Sequence, residues 1–195
     1  MSEETAAIVW FLGIVGWLII RLPYRRRAQR TKTVTDNSSK SERVSLGLTI
    51  VGLVLLPLLQ LTTGLFDFAS IPFSPLAAWF GMLVMILFLI IFYLSHKHLA
   101  RNWSVTLEIR KDHELVQSGI YKLTRHPMYT SFWLWGIAQF LLVPNWIAGL
   151  SGLVSVAWLY FSRIDHEEAM MRSQFGEAYD AYCERTYRLL PKLFS

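Results

Sequence analysis

From Pro127 to Ser162 the chain runs for about 36 residues without one Asp, Glu, Lys or Arg, broken once by Pro144-Asn145. A helix that spans a bilayer needs roughly 17–25 mostly apolar residues. The stretch is therefore read as two membrane helices joined by a tight turn. A hairpin of this kind brings its own two ends to the same side. At one end lies Gly119-Ile-Tyr-Lys-Leu-Thr-Arg-His-Pro-Met-Tyr129, and at the other Arg163-Ile-Asp-His-Glu167-Glu168. Two distant polar segments are thereby expected to form one site at the membrane edge.

The rest of the chain agrees with a bilayer setting. Of 195 residues 53% are hydrophobic, and the mean hydropathy is +0.36. The apolar residues gather in long runs, unlike those of an ordinary soluble domain. Five segments approach spanning length, at about 5–22, 44–63, 76–95, 129–143 and 146–162. The expected fold class is an all-α integral membrane protein of about five transmembrane helices. It ends in a helical hairpin, with cytoplasmic loops forming a ligand site. Residues 1–195 are read as one membrane domain, its motif-bearing half at about 99–191.

Charge placement sets an expected orientation. All 19 Lys and Arg residues fall in three segments, 21–43, 96–128 and 163–195. The N-terminus, the loop at 64–75 and the turn at 144–145 carry none. This alternation is the positive-inside pattern. It puts the N-terminus outside, and the C-terminus and the polar site in the cytoplasm, at the plasma membrane if the source is prokaryotic. It also explains the net charge of +5 without a nucleic-acid partner. Ser2-Glu3-Glu4 is acidic and no small-residue cleavage site precedes Arg21, so no signal peptide is evident and the first span is expected to be retained. The single cysteine, Cys183, excludes an intrachain disulfide and is read as an idle thiol.

The basic run Arg25-Arg26-Arg27, with Arg30 and Lys32, reads as a topology anchor touching anionic membrane lipids. Residues 33–42 read as a flexible linker, and Pro57 as a kink in the second span. Val105-Thr-Leu107-Glu-Ile109-Arg alternates with period two, as a short interfacial strand does. Met171, Phe175, Ala178 and Tyr182 recur at helical spacing, which predicts an amphipathic helix interrupted at Gly176.

Arg163 alone would be a snorkelling anchor. Glu167 lies at i+4 and shares its helix face, so the two could orient a charged ligand at the mouth of the bundle. His126-Pro127 opens the fourth span, where Pro is at home and free N–H groups favour an anion. Tyr121 and Tyr129 add hydroxyls and aromatic faces. A metal is not expected. The rings of His96 and His98 point to nearly opposite sides of a helix, and His113, His126 and His166 lack ligand-spaced partners. No phosphate-binding glycine motif is present.

Taken together, Asn102-Trp103-Ser104, His113-Glu114-Leu115-Val116, Gly119-Ile-Tyr121, Arg125-His126-Pro127-Met128-Tyr129, Arg163 with Glu167-Glu168, and Phe175-Gly176 through Tyr179 and Tyr182 to Leu190-Pro191 resemble the isoprenylcysteine carboxyl methyltransferase family of integral membrane enzymes, in its short prokaryotic form. The resemblance covers roughly residues 99–191. It implies a small helical bundle whose cytoplasmic loops close over S-adenosylmethionine and release S-adenosylhomocysteine. By the same resemblance His113, Glu114, Leu115, Val116, Gly119, Tyr121, Arg125, His126, Pro127, Met128, Tyr129 and Glu167 carry the cofactor. Arg163 faces the substrate, and Arg163, Glu167 and Glu168 form the catalytic set. The implied acceptor is a carboxylate on a lipophilic or lipidated molecule reached from the bilayer.

The chemistry is consistent with these residue types. A carboxylate attacking an activated methyl group needs no general base, only alignment and exclusion of water. An arginine can hold a carboxylate bidentately. Two other readings stand beside this one. A membrane reductase of the sterol type, using NADPH, shares a similar C-terminal block around Tyr182 to Pro191, and a phospholipid N-methyltransferase differs only in its acceptor. A non-catalytic scaffold would bind neither cofactor.

The charge pattern yields a direct expectation for topology. With Cys183 replaced, a single cysteine introduced at Ser38 is expected to react with a membrane-impermeant reagent only after the cells are opened. Labelling of position 38 from outside intact cells would reject the orientation.

Overall fold

A computed structural model describes residues 1–30, 33–36, 40–99, 108–110 and 115–192. Helix α1 runs Glu3–Arg30, and strand β1 follows at Thr33–Asp36. Helix α2, Lys40–Ile50, passes through a π-helical turn, Val51–Leu55, into α3, Leu56–Thr63. Helix α4 covers Pro75–Leu99, and strand β2 Glu108–Arg110. Helices α5, Pro127–Leu142, and α6, Ala148–Phe175, form the hairpin, and α7, Glu177–Arg185, closes the sequence of elements.

Among the described residues three segments are long and apolar enough to cross a membrane: Glu3–Arg27, Glu42–Thr63 and Pro75–Leu99. The five-span expectation is thus met in part. Helix α5 has 16 residues, about 24 Å at 1.5 Å per residue, against a hydrocarbon core of about 30 Å. Helix α6 has 28 residues, but its second half carries Arg163, Asp165, Glu167 and Glu168 and runs beyond the apolar part.

The linker expected at 33–42 is partly structured. Strand β1 pairs antiparallel with β2, Thr35 opposite Ile109 and Asp36 opposite Glu108, and α2 begins at Lys40. Alternation had pointed to the β2 side, whereas its partner strand is too short and polar to be visible in composition. Residues 105–107 lie outside the described ones. The expected helix break is present: Gly176 adopts φ +52° between α6 and α7. The buried face of α7 is carried by Tyr179 and Tyr182, while Ala178 is exposed.

The kink expected at Pro57 is replaced by the π turn just before it. Pro57 follows the π turn directly within one continuous helix. Leu56 N–H donates to Val51 O, and the next donor to Gly52 O would be Pro57, which has no N–H. The wider turn makes the Gly52 carbonyl available sideways, as π turns do by shifting the hydrogen-bond ladder. That oxygen accepts Gln139 Nε2 at 3.0 Å and Ser151 Oγ at 2.7 Å. One backbone carbonyl in the apolar layer thus ties the α2–α3 segment to both arms of the hairpin. Lipid offers no competing donors, so such a group must be satisfied within the protein.

Helix α5 packs against both α4 and α6. Trp135 of α5 stacks on Phe88 of α4, ring centroids 4.9 Å apart, and meets Trp17 of α1 at 5.2 Å. At the hairpin turn Asn145 Oδ1 accepts the N–H groups of Ile147 and Ala148, both at 2.9 Å, and its Nδ2 donates to Phe66 O at 2.6 Å. The Pro144-Asn145 break is therefore a cap for α6 that also anchors the 64–74 loop. With the near end so fixed, the opposite ends of α5 and α6 meet in a defined register, where the polar clusters lie.

A methyl group on Gly52 would stand 2.5 Å from Ser151 O and 2.4 Å from Ser155 Oγ. Gly52→Ala is expected to cost about 1–3 kcal/mol, because backbone must give way. A fall in the thermal unfolding midpoint in detergent checks this, with Gly47→Ala, where nothing lies within 4 Å, as the comparison.

Candidate functional site

Glu168 is the most enclosed charge in the cluster, with its side chain 2% exposed. Arg125 Nε donates to its Oε1 at 3.1 Å, and Arg188 donates to both oxygens, Nη2 to Oε2 at 2.8 Å. His126 Nε2 lies 3.3 Å from Oε1. These partners come from the start of α5 and from the segment after α7. Burial opposes ionisation of Glu168, but the hydrogen bonds from His126, Arg188 and Arg125 outweigh it and hold the carboxyl well below the usual carboxylate range. Both of its oxygens are engaged inside the protein, so this group anchors the site.

The segment after α7 straps the N-terminus of α5. Arg125 N–H donates to Tyr187 O and His126 N–H to Arg188 O, each at 3.0 Å. Thr130 Oγ1 reaches Leu189 O at 2.6 Å, and Arg125 Nη1 donates to Thr186 O. The Tyr182 hydroxyl, which burial keeps protonated far above neutral pH, donates to Tyr121 O at 2.6 Å. The free N–H groups expected at the His126-Pro127 helix start are therefore partly consumed by the protein itself.

Glu167 is placed differently. Tyr129 Oη donates to its Oε2 at 3.0 Å, and His126 Nδ1 stands 3.8 Å from Oε1. Its side chain keeps 28% exposure, which leaves acceptor capacity for a ligand. Arg163, on the same helix, does not pair with it: Nη2 bonds Glu42 Oε1 of α2 at 2.9 Å. The buried Arg163 Nε has no hydrogen-bond partner among the described residues. Glu167, Arg163 and Glu42 are the charges acting on the Tyr129 hydroxyl. Around them Tyr129, Leu159, Tyr160 and Ile164 form an apolar wall completed by Leu46, Trp133 and Leu189.

The structure thus brings together Arg125, His126, Tyr129, Arg163, Glu167 and Glu168. Met128 is half-buried beside them, and Tyr121 is buried beneath, held by α7. Leu115 and Val116 are half-buried at the start of the last described segment. His113 and Glu114, with Asn102, Trp103 and Ser104, lie outside the described residues. Gly119 and Pro127 instead line an apolar cavity of about 610 Å³ with Leu87, Ile91, Leu123 and Leu190. Gly119 has φ +60°, and a Cβ there would stand 2.2 Å from the His98 ring, so only glycine fits. Sequence reasoning missed Glu42, Arg188 and Trp133. Arg188 could have been found as the basic residue before the Leu189-Leu190-Pro191 end, but Glu42 carries no local signal. Among the described residues no group of three or more His, Cys, Asp or Glu could hold a metal ion.

The sequence profile of the isoprenylcysteine carboxyl methyltransferase family matches residues 79–173. A protein-S-isoprenylcysteine O-methyltransferase of Schizosaccharomyces pombe is 39% identical over 82 residues, which are 42% of this chain and 34% of that protein. The Homo sapiens protein of the same name is 36% identical over 91 residues, 46% of this chain and 32% of that one. An Arabidopsis thaliana relative, form A, aligns over 134 residues at 29% identity, 67% of this chain and 68% of the relative. The chain spans between a third and a half of the length of the first curated relatives it matches. A solved structure described as the eukaryotic intramembrane Ras methyltransferase ICMT superposes with a TM-score of 0.53 at 21% identity, over 82% of this chain and 55% of that one. That likeness shows a shared membrane-helical fold.

The depressed Glu168 carboxyl fixes the sign of its pH dependence. Its contribution is complete above the unfolded value of about 4.5 and is lost only as pH falls from there through the folded value. Glu168→Gln is expected to lower stability by about 3 kcal/mol at neutral pH, since Arg125 and Arg188 keep their charges. Denaturation in detergent should show a constant gap between the two proteins from pH 7 to 5, closing only in stronger acid.

Proposed function

We propose that this integral membrane protein, whose residues 79–173 are of the isoprenylcysteine carboxyl methyltransferase family, transfers a methyl group from S-adenosylmethionine to the carboxylate of a lipidated, prenylcysteine-like acceptor. The observation that carries the reading is the division of labour among two carboxylates and one arginine at the hairpin mouth. Glu168 is saturated by cations, Glu167 is open, and Arg163 keeps a buried N–H to spare.

The residues present suit the cofactor. Glu167 can accept from ribose hydroxyls or an ammonium group, and the faces of Tyr129 and Tyr160 suit a neighbouring cation. Trp133 Nε1 is buried without a partner among the described residues, a donor held in reserve beside them. When bound, the cofactor supplies a methyl group activated by its sulfonium. Arg163 would hold and orient the acceptor carboxylate, a nucleophile that needs no general base. The wall of Tyr129, Leu159, Tyr160 and Ile164 excludes the water that would solvate that nucleophile. Glu168 with Arg125, His126 and Arg188 holds His126 and Tyr129 in place. The positive-inside distribution supports a cytoplasmic position for this mouth.

Calorimetry on detergent-solubilised protein is expected to show S-adenosylhomocysteine binding and no NADPH binding. Glu167→Ala should weaken cofactor binding about 30-fold or more, the cost of removing a charged partner from a desolvated site. Arg163→Ala should keep cofactor affinity while losing turnover of an N-acylated S-prenylcysteine. Arg163→Lys should also impair turnover, because an ammonium lacks the planar fork. NADPH binding in place of the adenosyl ligand would overturn the reading, and reversed phenotypes for Arg163 and Glu167 would overturn the roles.

A further inference from the structure

Arg163 does not stand alone at the site mouth. Its Nη2 is tied to Glu42 Oε1 at 2.9 Å, and Glu42 has only 4% of its side chain exposed. Glu42 lies in the first turn of α2, where the helix dipole favours a carboxylate. It is outside residues 79–173 and outside every motif singled out in the sequence. A carboxylate buried at the edge of an apolar bundle is costly, and its partner is what makes it tolerable.

The two helices are locked where this pair forms. Trp158 Nε1 donates to Ser45 Oγ at 3.2 Å, and Ser162 Oγ is 3.5 Å from the same oxygen. Ser45 sits one turn from Glu42, and Ser162 is the residue before Arg163. Leu46 of α2 packs on the cluster formed by Tyr129, Leu159, Tyr160 and Ile164. Glu42 therefore meets Arg163 from a fixed position.

The geometry points to Glu42 as a positioning residue for Arg163 in acceptor recognition, holding the guanidinium by Nη2 so that its buried Nε–H side receives the acceptor carboxylate. The inference rests on the reading of Arg163 as the acceptor-binding residue. A guanidinium carries five N–H donors in one plane. Engaging one hydrogen of Nη2 restrains that plane and leaves Nε–H with the second Nη2 hydrogen for a two-point carboxylate contact. Without Glu42 the arginine keeps its charge but loses its aim. A misplacement of this kind near the reacting atoms costs far more in rate than in affinity for the other ligand.

The experiment is methyl-transfer kinetics on an N-acylated S-prenylcysteine, with S-adenosylhomocysteine calorimetry and thermal unfolding in parallel, for wild type, Glu42→Ala, Glu42→Gln, Arg163→Ala and the double variant Glu42→Ala/Arg163→Ala. Glu42→Ala is expected to reduce acceptor kcat/KM by about tenfold or more, with cofactor affinity within about twofold of wild type. Glu42→Gln, which keeps an accepting oxygen, should recover part of the loss. In the double variant Glu42→Ala should add nothing to Arg163→Ala, since the two act through one contact. Nitrogen-15 NMR of the arginine side chains gives a readout without turnover: the Arg163 Nε–H signal should broaden in Glu42→Ala and shift when the prenylcysteine is added to wild type. Unchanged acceptor kinetics in both Glu42 variants of an active enzyme overturn the inference. Parallel loss of cofactor affinity, stability and turnover makes Glu42 a packing residue and overturns it equally. A wild type that neither binds the adenosyl ligand nor turns over removes the methyltransferase reading itself, and the cofactor titration separates that result from the other two.

Discussion

A single buried carboxylate organises the mouth of this bundle. Glu168 gathers Arg125, His126 and Arg188 around two oxygen atoms, and those residues belong to the start of α5 and the strap after α7. An unpaired carboxylate at this depth would be strongly unfavourable. The strap, the helix start and the end of α6 are therefore tied to one another through this one group. The open side of the polar cluster is mounted on it. His126 is held between Glu168 and Glu167, and Tyr129, one turn further into α5, takes Glu167.

Adjacent carboxylates thus perform different tasks. Glu168 is spent on structure, and Glu167 retains surface and lone pairs. Their roles follow from a rotation of about 100° around α6 per residue, which turns one side chain into the junction and leaves the other at its rim. Arg163, a turn earlier, faces α2 and finds Glu42 there. The same logic operates deeper in the membrane layer. Gly52 gives up its side chain so that its carbonyl can serve Gln139 and Ser151, and Asn145 serves three backbone groups at the hairpin turn. In lipid, where backbone groups find no water, polar residues at such points set the helix register and hence the alignment of the site.

Much of this was legible in the chain. The uncharged run from Pro127 to Ser162, interrupted at Pro144-Asn145, specifies a hairpin because a bilayer excludes charge and a turn needs residues of that type. Gly176 specifies a break, since its φ of +52° is costly for any other residue. The motif residues Arg125, His126, Tyr129, Arg163, Glu167 and Glu168 were identified, because order and spacing are local properties. The π turn was not, since the partners of the carbonyl it frees, Gln139 and Ser151, lie far away in sequence. Nor was the β1–β2 pairing: period-two alternation marked only the β2 side, and the short polar β1 has no hydrophobic pattern to announce it.

What the sequence alone determined is the class of fold, the pairing of the two polar clusters and the polar residues that meet there, because hydrophobic run length and helical period act on neighbours along the chain. What only the tertiary structure decided is the partner of each charge. Glu168 could have faced the ligand and instead faces Arg125 and Arg188. Arg163 shares a helix face with Glu167 by spacing, yet bonds Glu42 from a helix more than a hundred residues away in sequence. Ion pairs are fixed by distance in space and by the surrounding dielectric, and neither is written in the order of residues.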